Sequence, residues 1–113
     1  MFEFTFHMPT SIITGRSCLV KNSLKLREFG KKCLIVTGQT SSKLNGSLED
    51  SILALENENI KYIIFDKIEE TPTLSTVEKA YRENKEKGID FILAVGGGSA
   101  IDAAKAISIL FKH

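Results

Sequence analysis

Short apolar runs separated by segments of helical pattern organise the chain. The runs cover residues 33–37, 62–66 and 91–95, and the first and third lead directly into glycine. A continuous apolar run of this length is typical of a strand buried on both faces, as in a parallel sheet. At the amino terminus, phenylalanines alternate with polar residues over positions 2–7, and residues 11–14 resume an apolar pattern after Pro9. This predicts a hairpin or edge strand beside the sheet.

Helical segments lie between the predicted strands. They cover residues 17–29, 47–58, 75–87 and 100–107. The second begins with Ser-x-x-Asp at Ser47 and the third with Ser-x-x-Glu at Ser75, which is the form of a capping box. We therefore expect these serines to cap their helices.

The order strand, helix, strand, helix, strand, helix predicts the fold class. It indicates an α/β fold with an open, mainly parallel, Rossmann-like sheet, flanking helices and an amino-terminal hairpin or edge strand. With 113 residues and 42% hydrophobic positions, the chain is expected to form one domain over residues 1–113. In such sheets ligands bind beyond the carboxyl ends of the strands.

Composition and charge exclude several classes of partner. A net charge of +1 gives no general attraction for nucleic acid or for an anionic membrane. The longest apolar run, residues 91–95, is far shorter than the roughly 20 residues that span a bilayer. The amino terminus lacks the basic and apolar regions of a signal peptide, so a cytoplasmic location is expected. Cys33 is predicted to be a buried free thiol, and no metal site is expected within the chain.

A glycine turn carries the clearest chemical signal. Residues 96–98 are all glycine, follow the apolar run, and precede Ser99, which is expected to cap the last helix. Without Cβ atoms, the backbone N–H groups can approach a ligand closely, and the helix dipole favours an anion there. This predicts a phosphate or pyrophosphate site; the alternative is a simple tight turn. The segment is neither a Walker A loop nor the dinucleotide fingerprint, because position 101 is Ile.

The same residues resemble a known family. Residues 96–105 are similar to the Gly-Gly-Gly-Ser-x-x-Asp-x-x-Lys segment of the iron-containing (group III) alcohol dehydrogenases. Other segments match in the same order: residues 8–10 with Gly15, then 34–38, then 71–73. The match covers essentially the whole chain, but only the amino-terminal, cofactor-binding part of the family. The resemblance therefore implies a truncated domain that lacks the helical metal-binding domain.

The resemblance assigns roles to residues around the glycine turn. It implies that Gly97, Gly98 and Ser99 hold the pyrophosphate of a nicotinamide dinucleotide. Asp102, expected in the first turn of the helix, would make a polar contact near the ribose or the nicotinamide. The alternative for Asp102 is a favourable interaction with the helix dipole.

Two other loops would complete the cofactor site. Thr71 and Pro72 replace the Asn-Pro of many family members, and the resemblance implies that they line the adenosine end. Many members have an acid where this chain has Gly38. The following hydroxyls and ammonium suit a 2′-phosphate, which favours NADP over NAD, although a flexible polar turn is the alternative. These groups belong to Thr40, Ser41, Ser42 and Lys43.

The resemblance also implies a function. In the full-length enzyme, hydride would pass between NADP(H) and a small alcohol or aldehyde. A divalent metal such as iron would be held by ligands beyond the matched segment. The chain alone is expected to be inactive and to self-associate through its apolar last residues, 109–113. The alternatives are a domain of a glycerol dehydrogenase or dehydroquinate synthase-like enzyme, or a non-catalytic nucleotide-binding module.

Overall fold

A computed structural model describes most of the sheet and three helices. It describes residues 2–4, 10–13, 29–38, 46–69, 71–96 and 98–112. The helix predicted from residue 17 falls almost entirely outside these ranges, as do the predicted site residues Thr40, Ser41, Ser42 and Gly97. The described elements are β1 (Phe2–Phe4), β2 (Thr10–Ile13), β3 (Lys32–Gly38), α1 (Ser47–Asn57), β4 (Lys61–Ile68), α2 (Leu74–Asn84), β5 (Phe91–Val95) and α3 (Gly98–Lys112).

The strands form one sheet in the order β1-β2-β5-β3-β4. Among the described strands, the pairs β2–β5, β5–β3 and β3–β4 are parallel, and the pair β1–β2 is antiparallel. The register places Cys33 of β3 between Phe91 of β5 and Tyr62 of β4. The predicted fold class is confirmed: the sheet is open and mainly parallel, with an antiparallel strand at its amino-terminal edge.

The two faces of the sheet bury different helices. Along β3, Leu34 and Val36 pack on the face that carries α2 and α3, whereas Cys33 and Ile35 pack on the face that carries α1. This alternation follows from the two-residue period of a strand. Cys33 is a fully buried free thiol, as predicted, and burial raises its pKa well above the ordinary value.

The helix starts differ from the expected caps. α1 has Gly46 as its N-cap and no side-chain cap, so the capping box predicted from Ser47 is wrong. α2 begins at Leu74 and is capped by Thr73, whose Oγ1 accepts a hydrogen bond from the N–H of Thr76 at 3.3 Å. Thr73 takes this role because its backbone is extended, as is typical of an N-cap, whereas Ser75 already lies inside the helix. α3 begins at Gly98, so Ser99 lies within its first turn and does not precede it.

The amino-terminal ends of the strands are joined by one carboxylate. Asp90 Oδ2 accepts hydrogen bonds from the backbone N–H groups of Lys31, at 2.8 Å, and Lys32, at 3.1 Å. The N–H of Asp90 donates to the carbonyl of Lys32 at 2.9 Å. Gly30 has a φ of +143° and packs so closely on Asp90 that a Cβ would overlap the Cβ of that residue. These contacts hold the start of β3 next to the start of β5.

None of the helices in the described part of the chain is long and apolar enough to cross a membrane.

Candidate functional site

The carboxyl ends of three parallel strands meet at one edge of the sheet. Gly38 at the end of β3 pairs with Ile68 at the end of β4, and Thr37 pairs with Val95 at the end of β5. All of the predicted site residues that the structure describes lie at these ends or follow them in the chain. They are Gly38, Thr71, Pro72, Gly98, Ser99 and, one turn further along α3, Asp102.

A cleft of about 360 Å³ lies between the start of α2 and α3. The structure brings Pro72 and Asp102 together here, although the sequence places them in separate loops. Leu74 is 71% exposed at the same place, which leaves an apolar side chain beside the cleft. The residues that line the cleft are Pro72, Thr73, Leu74, Val77, Asp102, Ala103 and Ala106.

The glycine turn leaves open space in front of the amino end of α3. Gly96 has a φ of +129°, in the region that favours glycine, and it turns the chain out of β5. A Cβ placed on the exposed Gly98 would have no atom within 4 Å. The 15 residues of α3 begin at this point, so the N–H groups of its first turn and its dipole face the same edge. The arrangement can bind an anion such as a phosphate.

Asp102 lies in the second turn of α3, since that helix begins at Gly98; the expectation of a first-turn position is wrong. The attraction between an acid and the helix dipole falls off beyond the first turn. Asp102 is exposed and lines the cleft. Its position therefore weakens the dipole interaction as an explanation, and the ligand contact stays a prediction.

A hydrogen-bonded group beside the cleft was missed at the level of sequence. Thr76 Oγ1 donates to Glu69 Oε2 at 2.8 Å and lies 3.1 Å from Thr73 Oγ1. Glu69 Oε1 is buried and has no hydrogen-bond partner among the described residues. The sequence signal for this group is the Thr-x-x-Thr spacing after Pro72, which overlaps the Ser-x-x-Glu pattern at Ser75.

The described residues offer no metal centre. They contain no group of three or more His, Cys, Asp or Glu side chains arranged to hold a metal ion.

Comparison with known proteins gives a consistent result. The family model described as "Iron-containing alcohol dehydrogenase" matches residues 9–113. The chain is 38% identical over 113 residues to NADH-dependent butanol dehydrogenase B of Clostridium acetobutylicum, covering 100% of this chain and 29% of that protein. It is 34% identical over 114 residues to the NADPH-dependent butanol dehydrogenase of Clostridium saccharobutylicum, covering 100% of this chain and 28% of the relative. The chain thus spans less than a third of the length of these relatives.

A solved structure has the same architecture. The chain superposes on the iron-containing alcohol dehydrogenase of Thermotoga maritima with a TM-score of 0.83 and 41% sequence identity. The superposition covers 96% of this chain and 30% of that structure.

Proposed function

Because the chain belongs to the iron-containing alcohol dehydrogenase family, we propose that residues 1–113 form the dinucleotide-binding domain of an NADP-dependent alcohol dehydrogenase. In the whole enzyme, hydride would pass between NADP(H) and a small alcohol or aldehyde. The observation that carries the proposal is the carboxyl edge of the sheet. There, the loop at Pro72 and Asp102 line one cleft, and the glycine turn leads into α3, the helix that carries Asp102.

The glycine turn is the proposed pyrophosphate site. Gly97 and Gly98 would present backbone N–H groups, and Ser99 would add its hydroxyl. The open space at Gly98 supports this assignment, because a phosphate must approach the backbone closely there. Thr71 and Pro72 would line the adenosine end, and Asp102 would contact a hydroxyl or amide of the cofactor.

The preference for NADP rests on the end of β3. Gly38 brings no carboxylate to the position from which an acid would repel a 2′-phosphate. The hydroxyls of Thr40, Ser41 and Ser42 and the ammonium of Lys43 would instead receive that phosphate. Relatives whose names specify NADH and relatives whose names specify NADPH are both similar to this chain, so the preference needs a direct test.

The family's metal is assigned to another part of the whole enzyme. The described residues do not fit a metal ion, so no step of the proposed reaction involves metal binding by them. The proposed contribution of these residues is to bind and orient the dinucleotide.

The test is a calorimetric titration of the 113-residue chain with NADPH and, separately, with NADH. We expect saturable binding that is at least about tenfold tighter for NADPH. A tenfold change corresponds to about 1.4 kcal/mol. In Gly98→Val the side chain would occupy the space proposed for the pyrophosphate, so both affinities should fall at least tenfold. Lys87→Val, exposed beyond the end of α2, is the control and should bind normally.

Each outcome of the titration separates one part of the proposal from the rest. Tighter binding of NADH would retain the dinucleotide-binding domain and reject the NADP preference. Absence of binding to either dinucleotide, in a chain shown to be folded by circular dichroism, would overturn the proposal as a whole.

A further inference from the structure

Glu69, Thr76 and Thr73 form a chain of hydrogen bonds beside the cleft. Glu69 lies just beyond β4, and Thr73 is the N-cap of α2 and lines the cleft. Thr76 connects them: its Oγ1 is 2.8 Å from Glu69 Oε2 and 3.1 Å from Thr73 Oγ1. These hydrogen bonds therefore link the end of β4 to the wall of the proposed binding site.

The number of hydrogens fixes the direction of these bonds. An ionised carboxylate can only accept, so the single hydroxyl hydrogen of Thr76 is donated to Glu69. The contact between the two threonine hydroxyls then requires Thr73 to donate to Thr76. Thr73 Oγ1 also accepts the N–H of Thr76 at 3.3 Å. Its hydrogen is committed, so towards a ligand in the cleft the Thr73 hydroxyl can only accept.

Capping of α2 does not explain the presence of Glu69. Thr73 caps the helix with its own oxygen, and a carboxylate is not needed for that bond. Glu69 Oε1 is moreover buried and makes no hydrogen bond to any described residue. A carboxylate that the cap does not require is a candidate for a functional role.

We propose that Glu69 is a positioning residue for the cofactor. Through Thr76 it orients the Thr73 hydroxyl so that the cleft accepts a hydrogen bond from the adenosine ribose. Asp102 also lines the cleft, and its carboxylate is an acceptor, which suits a ligand group that donates. A phosphate oxygen carries no hydrogen to donate, whereas a ribose hydroxyl does. The expected donor is the 3′-hydroxyl, which is the adenosine ribose hydroxyl that NAD and NADP share. This inference rests on the proposed function.

The test compares ADP with 3′-deoxy-ADP, which lacks only that hydroxyl. We expect the 113-residue chain to bind ADP about tenfold more tightly, the effect of one hydrogen bond of about 1.4 kcal/mol. In Glu69→Ala and in Thr76→Val the ratio of the two affinities should fall towards one. In the double variant the ratio should fall no further, because both changes break the same series of hydrogen bonds. Thr76→Ser keeps the hydroxyl and should restore the ratio, and Glu83→Ala, exposed on the same helix, should keep it.

The ratio distinguishes positioning from a general loss of structure. A weakened helix lowers the affinity for both nucleotides and leaves their ratio unchanged. Thr76→Val conserves shape, so it provides a folded variant even where Glu69→Ala unfolds. A wild-type ratio in both variants would overturn the inference and leave the proposed function intact. A wild-type chain that binds neither ADP nor NADPH would overturn both.

Discussion

The polar groups at the two ends of the parallel strands have opposite surroundings. At the amino ends, the Asp90 carboxylate accepts two backbone hydrogen bonds, and Gly30 packs so closely on Asp90 that a Cβ would not fit. At the carboxyl ends, a cleft of about 360 Å³ stays open and Glu69 Oε1 has no partner within the part of the chain that the structure describes. The difference agrees with the proposed function, in which the amino edge serves stability and the carboxyl edge serves binding.

The largest expected effect contrasts Gly30 with Gly98. Gly30→Ala places a Cβ against Asp90 at a φ of +143°, and should lower the free energy of unfolding by about 3 kcal/mol. Gly98→Ala meets no atom within 4 Å, so its free energy of unfolding should stay the same or rise by up to about 1 kcal/mol. Urea denaturation of both variants measures the difference. Equal losses of stability would contradict the division between the edges.

A smaller effect is expected at Asp90. Asp90→Ala removes the acceptor of two backbone hydrogen bonds, and should cost about 1–2 kcal/mol because these bonds lie in an exposed region. Both bonds converge on Oδ2, so Asp90→Asn keeps one acceptor oxygen and should cost less. The measurement is again the urea midpoint, combined with calorimetry of dinucleotide binding. An Asp90→Ala variant that is fully stable but binds the dinucleotide poorly would contradict the assignment of stability to the amino edge and binding to the carboxyl edge.

The smallest effect is expected on the exposed face of α2, which belongs to neither edge. Lys79 and Glu83 form an i,i+4 ion pair at 4.0 Å, with both side chains about half exposed. Solvent screens such pairs, so Lys79→Ala should change the free energy of unfolding by less than about 0.5 kcal/mol. Affinity for the dinucleotide should not change. A loss above 1 kcal/mol in the same urea experiment would show that solvent screens this pair less than expected.

The apolar pattern was sufficient to predict the sheet. The run over residues 91–95 coincides with β5, because a strand covered on both faces has no polar position to obscure its bounds. The run predicted over 62–66 is shorter than β4, which extends from Lys61 to Ile68. β4 is the last strand of the sheet and is partly exposed, so polar residues at its ends do not mark where it stops.

Caps and the cleft were harder to predict than strands. Ser47 and Ser75 fit the capping pattern, but the N-cap is the residue at which the backbone departs from helical angles. The incoming loop decides which residue that is: at α1 it is Gly46, which is left-handed, and at α2 it is Thr73, which is extended and directly follows Pro72. The approach of Pro72 to Asp102 requires the packing of two helices, which no local pattern encodes.

Other expectations stay predictions. The choice of NADP, the self-association through residues 109–113 and the cytoplasmic location are not tested by the fold. One apolar side chain among these residues, Ile109 on α3, is 49% exposed and could contribute to such a contact. Sedimentation of the 113-residue chain is the direct measurement.

The position of β2 has a consequence for the order of folding. β2 joins the sheet only by pairing with β5, where Thr10 lies opposite Ile92. Contacts between residues so distant in sequence form slowly, because a long loop must close before they contribute any stability. During synthesis, β5 leaves the ribosome long after β2 has been made. The amino-terminal strands are therefore made first and are expected to join the sheet last.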